Sequence, residues 1–358
     1  MSESTTPTPS TPAGNAAQVP LLRTEKLTRH FTIGNLFSRT SLHAVDDADL
    51  VIHEREIVAL AGESGSGKST IARLLAMVYK PTSGEIYFRD KPLSALRGRT
   101  DELAYRSEVP MVFQDPFASL NPAHRVSHGI MRTLKLHRPD LDAAGRQAEA
   151  ERVLTEVGLT PATEVLNKYP YEFSGGQRQR VGFAQALAAK PKLILADEPV
   201  SMLDVSIRIG LLNLMADLRE REGVSLLYIT HDIASARYVS DRLVIMYAGT
   251  IVETGPTEDV LHNPKHPYTQ LLLSAVPDPR APLSVTAQTD RGEPPKVINP
   301  KPGCRFRSRC PLAIDTCQHV TPQSRLLGVN HTAACHVATA DLDTPTVAVG
   351  ATEQDGHQ

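Results

Sequence analysis

Nine consecutive residues, Gly62-Glu63-Ser64-Gly65-Ser66-Gly67-Lys68-Ser69-Thr70, have the types and spacing to hold the phosphates of a nucleotide. They fit the pattern G-x-x-x-x-G-K-[ST]. The apolar run Ile57-Val58-Ala59-Leu60-Ala61 precedes them and the helix-competent run Ile71-Ala72-Arg73-Leu74-Leu75-Ala76 follows, which is the strand, loop and helix order that such a loop requires. Glycines without side chains let successive backbone N–H groups close around phosphate oxygens at a helix N-terminus, where unsatisfied amides and the helix dipole both favour negative charge. Lys68 is then placed to reach the β- and γ-phosphates, and the Ser69 hydroxyl to ligate Mg²⁺.

Further along, Lys192-Leu193-Ile194-Leu195-Ala196 reads as a buried parallel strand with Asp197 and Glu198 at its C-terminal tip, where open α/β sheets bind ligands. Asp197 is the expected Mg²⁺ holder, through water, and Glu198 the general base that polarises the attacking water. Ser225-Leu226-Leu227-Tyr228-Ile229 is a second such strand ending in Thr230-His231-Asp232, so His231 can orient Glu198 and reach the γ-phosphate. Val109-Pro110-Met111-Val112-Phe113 is a third, and Gln114 at its end is either a sensor of Mg²⁺ and the attacking water or an ordinary turn residue. A second phosphate-competent helix N-terminus begins at Ser174-Gly175-Gly176-Gln177, with Ser174 as N-cap and an apolar face of Val181, Ala184, Leu187 and Ala188. It lies too far along the chain to belong to the first cradle.

These groups must be positioned by a chain of 358 residues with a formal charge of −2, which lacks the electrostatic footprint of a nucleic-acid binder. No apolar run approaches the ~18 to 20 residues that span a bilayer and no secretory signal opens the chain, so the expected location is cytosolic. Residues 1–20 are Ser/Thr/Pro-rich and expected to be a disordered tail, as are residues 338–358. Residues 21–262 form the expected nucleotide-binding domain. It starts with short strands containing Leu22, Leu27 and Phe31, an antiparallel edge on an α/β core, and it carries a helical insertion at about 117–185. Phe31 is either an adenine-stacking platform or a core aromatic. A third region, 263–337, contains all four cysteines: Cys304, Cys310, Cys317 and Cys335. In a reducing compartment they are open to metal binding, redox chemistry or plain burial.

The ordered set of P-loop, Gln114, Ser174-Gly175-Gly176-Gln177, Asp197-Glu198, Asp204 and His231 resembles the ATP-binding-cassette (ABC) ATPases over about residues 21 to 262. The resemblance implies the names Walker A, Q-loop, signature, Walker B, D-loop and H-loop for these motifs. It also implies two ATP molecules sandwiched head to tail, with Ser174 and Gly176 touching ATP on a partner's P-loop, so that a second cassette, identical or paralogous, is needed. Phe173 stands where the signature usually has leucine and Met202 where the D-loop usually has alanine; neither removes a phosphate donor, a metal ligand or the base.

Glu172 through Arg180, Asp197 through Ile207, and His266-Pro267-Tyr268-Thr269-Gln270-Leu271-Leu272 look most like the ATPases of oligopeptide, dipeptide and nickel importers. That narrower resemblance implies two transmembrane permease subunits, an extracytoplasmic substrate-binding protein and a peripheral place on the cytoplasmic face of the inner membrane. It associates the cysteine segment with an iron-sulfur cluster, of the [4Fe-4S] type; zinc or another metal, or unligated thiols, stay open, because the spacing fits neither a zinc finger nor a ferredoxin. The expected function is ATP hydrolysis driving peptide uptake. Nickel, glutathione or another small solute is the alternative cargo, and a soluble ABC ATPase of translation or DNA repair the alternative class.

Overall fold

The computed structural model describes residues 19–34, 40–115, 120–275 and 297–339. Nearly all of the two expected tails, most of the Pro-rich linker that leads to Gly303, and residues 116–119 at the start of the helical insertion lie outside the described residues.

In chain order the elements are β1 (Leu22–Ile33), β2 (Thr40–Ala48), β3 (Val51–Ile52), β4 (Ile57–Ala61), α1 (Lys68–Leu75), β5 (Ser83–Phe88), β6 (Lys91–Pro92), α2 (Gly98–Glu108) and β7 (Met111–Val112). A helical stretch follows: α3 (Val126–His137), α4 (Ala143–Glu156), α5 (Ala162–Asn167) and α6 (Gly175–Ala188). The α/β pattern then resumes with β8 (Leu193–Asp197), α7 (Val205–Glu222), β9 (Ser225–Thr230), α8 (Ile233–Val239), β10 (Arg242–Tyr247) and β11 (Thr250–Pro256). Last come α9 (Thr257–His262), α10 (Pro267–Ser274), α11 (Thr316–His319), β12 (Arg325–Gly328) and β13 (His331–Ala333).

Every residue of β4, β8 and β9 is buried, the mark of parallel strands covered on both faces. They sit at the centre of a sheet ordered β12-β13-β11-β10-β4-β9-β8-β7, parallel from β10 to β7. Alternation divides their side chains between two cores. Ile57, Ala59, Ala61, Ile194, Ala196, Leu226 and Tyr228 face the helical stretch and α7, whereas Val58, Leu60, Leu193, Leu195, Leu227 and Ile229 face α1, α2 and the N-terminal sheet. Because the central strands are parallel, the loops after β4, β7, β8 and β9 all leave along one edge.

Two elements differ from the sequence expectation. The strand expected over Val109–Phe113 shrinks to Met111–Val112 at the sheet margin, and Phe113 is exposed, since an edge strand has one neighbour and no reason to bury both its faces. The N-terminal strands are fewer and longer: β1 is one strand of 12 residues, bent by irregularities between Leu27 and His30, and pairs with β2, β3 and β5.

The C-terminal residues continue the main sheet. β13 pairs antiparallel with β11 and β12 with β13, while Cys304, Phe306 and Cys317 join the core that contains the helical stretch. A buried carboxylate fixes this docking: Glu253 on β11 accepts from the backbone N–H of Lys265 (2.7 Å) and His266 (2.9 Å) and pairs with His331 Nε2 at 2.7 Å. His266, 1 % exposed, caps α10 by accepting the Tyr268 N–H at Nδ1 (3.0 Å), which requires a neutral ring. Burial pushes its pKa down to about 4, against the opposing pull of Glu253.

An unfolded histidine takes its proton near pH 6.5, so this cap contributes its full stability above about pH 6.5 and loses it as the pH falls through 4. We expect a stability loss of about 3 kcal/mol across that window from this group. His266→Asn keeps an oxygen able to cap Tyr268. Urea unfolding between pH 7 and 4 should show a shallower slope in that variant; an unchanged slope removes His266 as the titrating group.

Candidate nucleotide-binding and catalytic site

The loop after β4 curls because its glycines permit it. Gly62 (φ +151°) and Gly67 (φ +105°) lie so close to backbone that an added Cβ would sit 2.1 Å from the Met246 carbonyl and 2.2 Å from that of Ala44; Gly65 has open space but a φ of +77°. Gly67 is the N-cap of α1 and carries no side chain to compete with an anion for the amides at the start of the helix. Ser66 is buried, its N–H donating to Glu63 O (3.2 Å) and its carbonyl accepting from Gly249 (2.9 Å). Ser64 and Gly65 at the loop tip are exposed, and in the first turn of α1 the Thr70 N–H donates to Gly67 O at 3.0 Å.

Lys68 is buried, and its ammonium donates to the carbonyls of Gly62 (2.7 Å) and Glu63 (2.9 Å). Burial lowers its pKa, opposed by the charges of Glu198, Asp197 and Glu63. Ser69, the next residue, donates its hydroxyl to Asp197 Oδ1 at 2.8 Å, which joins the P-loop to the tip of β8. Burial raises the Asp197 carboxyl, against the Ser69 hydrogen bond and the charge of Arg73.

Glu198 sits beyond Asp197 in a left-handed conformation, φ +45°, that a glutamate adopts only when its surroundings impose it. Here its N–H donates to Ile229 O (3.0 Å), and its carbonyl accepts from the N–H (3.2 Å) and hydroxyl (3.0 Å) of Ser201. Two further loops meet its carboxylate: Gln114 Nε2 donates to Oε2 at 3.0 Å and His231 Nδ1 lies 3.3 Å from the same oxygen. Gln114, Glu198 and His231, distant in sequence, are thus in contact.

Ser174 and Gln177 form a reciprocal cap on α6: Ser174 Oγ accepts from Gln177 N–H (3.3 Å) and Gln177 Oε1 accepts from Ser174 N–H (3.0 Å). A Cβ on Gly176 would meet Ile207 Cγ2 at 2.2 Å, and one on Gly175 would lie 3.4 Å from Leu203. The signature stretch therefore packs on the loop after β8 and the start of α7, where Asp204 is the exposed N-cap. Among the described residues, no side-chain hydrogen bond or ion pair joins residues 174–177 to the P-loop. Phe31 also stands apart: its ring meets Tyr79 edge-on at 5.4 Å and carries the Arg29 guanidinium 4.6 Å above its centroid.

The four cysteines converge. Cys304 N–H donates to Cys317 O at 2.8 Å, and the Cys304 thiol, pushed up to about 11 mainly by burial, also feels the charges of Cys317, Cys335 and Cys310. The turn from Cys304 to Cys310 carries contacts that sequence reasoning missed. Arg305 pairs with Asp46, which also takes His30 and His43; burial alone would raise that carboxyl, but these three partners hold it below its ordinary value. Arg309 forms a two-pronged pair with Glu63 of the P-loop, 2.9 Å in both arms, while Tyr268 Oη accepts the Glu63 N–H at 2.9 Å. No local pattern links residues 63 and 309, so nothing in the sequence could have found the pair.

Two family descriptions match the chain: ABC transporter over residues 45–201, and the C-terminal region of oligopeptide/dipeptide transporters over 252–317. A Brucella ovis protein named for peptide import and ATP binding is 41 % identical over 318 residues, spanning 89 % of this chain and 98 % of its own length. The oligopeptide transport ATP-binding protein OppF of Escherichia coli is 44 % identical over 285 residues, 79 % of this chain and 84 % of its own. Among solved structures, the dimeric post-hydrolysis state of the ATP-binding cassette MJ0796, bound to ADP and Pi, superposes with a TM-score of 0.58 at 28 % identity, covering 66 % of this chain and 98 % of that one. The loops that meet at Lys68, Asp197 and Glu198 are those of an ATP-binding cassette, and the chain belongs to the ABC transporter family of ATPases.

Proposed function

We propose that the chain is the ATPase subunit of an importer of di- and oligopeptides, working as one of two cassettes beneath separate membrane subunits. The observation that carries the catalytic part is the meeting of Gln114, His231 and Glu198 beside the Ser69–Asp197 pair. The cargo assignment rests on the C-terminal match and on the names of the peptide transport relatives.

In this reading the first-turn amides of α1 and the P-loop N–H groups bind the β- and γ-phosphates, and the Lys68 ammonium moves from carbonyl oxygens to phosphate oxygens. Ser69 and Asp197 present a hydroxyl and a carboxylate oxygen 2.8 Å apart, a hard oxygen pair suited to Mg²⁺ bound with the nucleotide. Glu198 is the general base. With Gln114 and His231 both on Oε2, Oε1 is the oxygen left to accept the proton of the attacking water. Phe31 supplies the adenine platform once Arg29 gives way.

Ser174, Gly175, Gly176, Gln177 and Asp204 serve the partner's nucleotide. Met202, Val205 and Ile209, large apolar side chains exposed beside the signature, suit the same interface. ATP favours the closed pair and hydrolysis releases it, so the difference in affinity between the two states drives the permeases. No helix among the described residues is long and apolar enough to cross a membrane, and two permease subunits would hold the cassette at the cytoplasmic face. An extracytoplasmic binding protein would select the peptide.

We assign the four cysteines to an iron-sulfur cluster. The Cys304 thiol feels the charges of Cys317, Cys335 and Cys310, so the four thiols lie near one another in the C-terminal segment. A cluster would tie the segment together where it has little core of its own.

Glu198→Gln should lower ATP turnover at least ~100-fold while ATP still binds and the pair stays closed, visible as an ATP-dependent dimer in size-exclusion chromatography. Wild-type turnover in that variant removes Glu198 from the base role. Cys304→Ser should lose bound iron and sulfide and loosen the C-terminal segment, so that ATP binding weakens without being abolished; unchanged metal content overturns the ligand assignment. Purification of the chain from solubilised membranes should bring down two multi-spanning subunits and a second cassette, and recovery of ribosomal or DNA-associated proteins instead would leave only the ATPase.

A further inference from the structure

We infer that Arg309 and Tyr268 are positioning residues of the nucleotide site: the C-terminal residues reach back to hold Glu63 by its N–H and its carboxylate and so set the P-loop curvature on which phosphate affinity depends. The inference rests on the nucleotide reading given above and adds two residues outside every P-loop, Walker or signature motif.

Glu63 is the second residue of the loop, and each of its polar groups is held. Its N–H donates to Tyr268 Oη at 2.9 Å; its carbonyl accepts from Lys68 Nζ at 2.9 Å and from Ser66 N–H at 3.2 Å. Its carboxylate takes Arg309 Nη1 on Oε2 and Nη2 on Oε1, each at 2.9 Å. Two parallel N–H···O bonds fix orientation as well as distance, which a lysine ammonium cannot do. The partners are themselves immobilised. Tyr268 is fully buried and packs on Tyr247 (centroids 4.6 Å apart) and Phe306 (5.5 Å). The Arg309 guanidinium lies 5.7 Å from the Tyr247 ring centroid and 5.9 Å from that of Phe306, and Nη1 also reaches the Tyr247 hydroxyl at 3.4 Å.

The consequence for chemistry runs through one carbonyl. The Glu63 C=O is a direct partner of both the Lys68 ammonium and the Ser66 amide, groups that must share a phosphate. Turning the Glu63 carbonyl would move both. Tyr268 and Arg309 grip that residue from its N–H and its side chain, so the loop is clamped from outside its own motif. A clamp serving only to hold the C-terminal segment in place would alter stability and leave nucleotide affinity untouched.

The test uses the full-length chain, with a fluorescent ATP analogue for Kd, steady-state hydrolysis for KM and kcat, and thermal unfolding. Arg309→Ala should raise Kd and KM together by about tenfold while kcat changes less than about twofold. Arg309→Lys should recover only part of the loss. Glu63→Gln should act like Arg309→Ala, and the double variant should be no worse than the poorer single, because both remove one interaction. Should Arg309→Ala fail to fold, Tyr268→Phe removes a single hydroxyl and should still raise Kd about threefold. A Kd within about twofold of wild type in the folded variants, or additive effects in the double, overturns the inference whatever the melting temperature. Lys68→Ala separates this from the underlying reading: wild-type protein whose ATP binding does not depend on Lys68 overturns both.

Discussion

A buried ammonium cannot stand without acceptors, and the site is built around that requirement at Lys68. With 4 % of the residue exposed, water cannot supply them, so the loop bends its own Gly62 and Glu63 carbonyls inward, and the carboxylates of Glu198, Asp197 and Glu63 surround the charge. The bend demands positive φ at Gly62 and Gly67, where any side chain would strike the backbone of Met246 or Ala44. The acids pay a cost too: burial raises the Asp197 carboxyl, and the Ser69 hydroxyl only partly offsets this. An assembly of buried charges of both signs is poised to gain when a polyanion and a divalent cation arrive together.

What brings those charges together is strand order. β4, β9, β8 and β7 are neighbours in that sequence and parallel, so the P-loop, His231, Asp197-Glu198 and Gln114 emerge side by side from one edge. The register is tight enough that Ala61 lies opposite Thr230 and Asp197 opposite Ile229. Glu198 then departs from the strand at φ +45°, with its N–H still tied to Ile229 O and its carbonyl to Ser201. That local strain turns the carboxylate toward Gln114 and His231. Backbone bonds on both sides oppose relaxation, so the geometry is imposed by the sheet rather than by the residue.

Much of this was legible in the sequence because the signals are local. Fully buried strands announce themselves as apolar runs, the P-loop as a fixed spacing, and the acids and His231 as polar residues at strand ends. Gln114, ambiguous by itself, took its meaning from its place in the ordered set of motifs, and the structure adds its contact with Glu198. The short β7 was overestimated because an edge strand and a central one share the same apolar run. Pairings between distant segments left no trace: β13 on β11, Arg305 on Asp46 and Arg309 on Glu63 each join residues at least 78 positions apart. Phe31 is a further case, since its type alone suggests a base platform or a core aromatic, and its contact with Tyr79 joins residues distant in sequence.

Those unreadable pairings share a physical origin. A segment of some forty residues with two short strands and a four-residue helix cannot build a core of its own. It docks instead by lending Cys304, Phe306 and Cys317 to the cassette core and by placing polar side chains on buried or half-buried carboxylates: Arg305 on Asp46, Arg309 on Glu63, His331 on Glu253. Polar docking of this kind is directional, so the segment is held in one register, unlike a greasy patch that could slide. Two of those anchors, Asp46 and Glu63, lie on or next to the residues that shape the P-loop: Ala44, whose carbonyl bounds Gly67, is two positions from Asp46. The segment cannot therefore be loosened without loosening the walls of the loop.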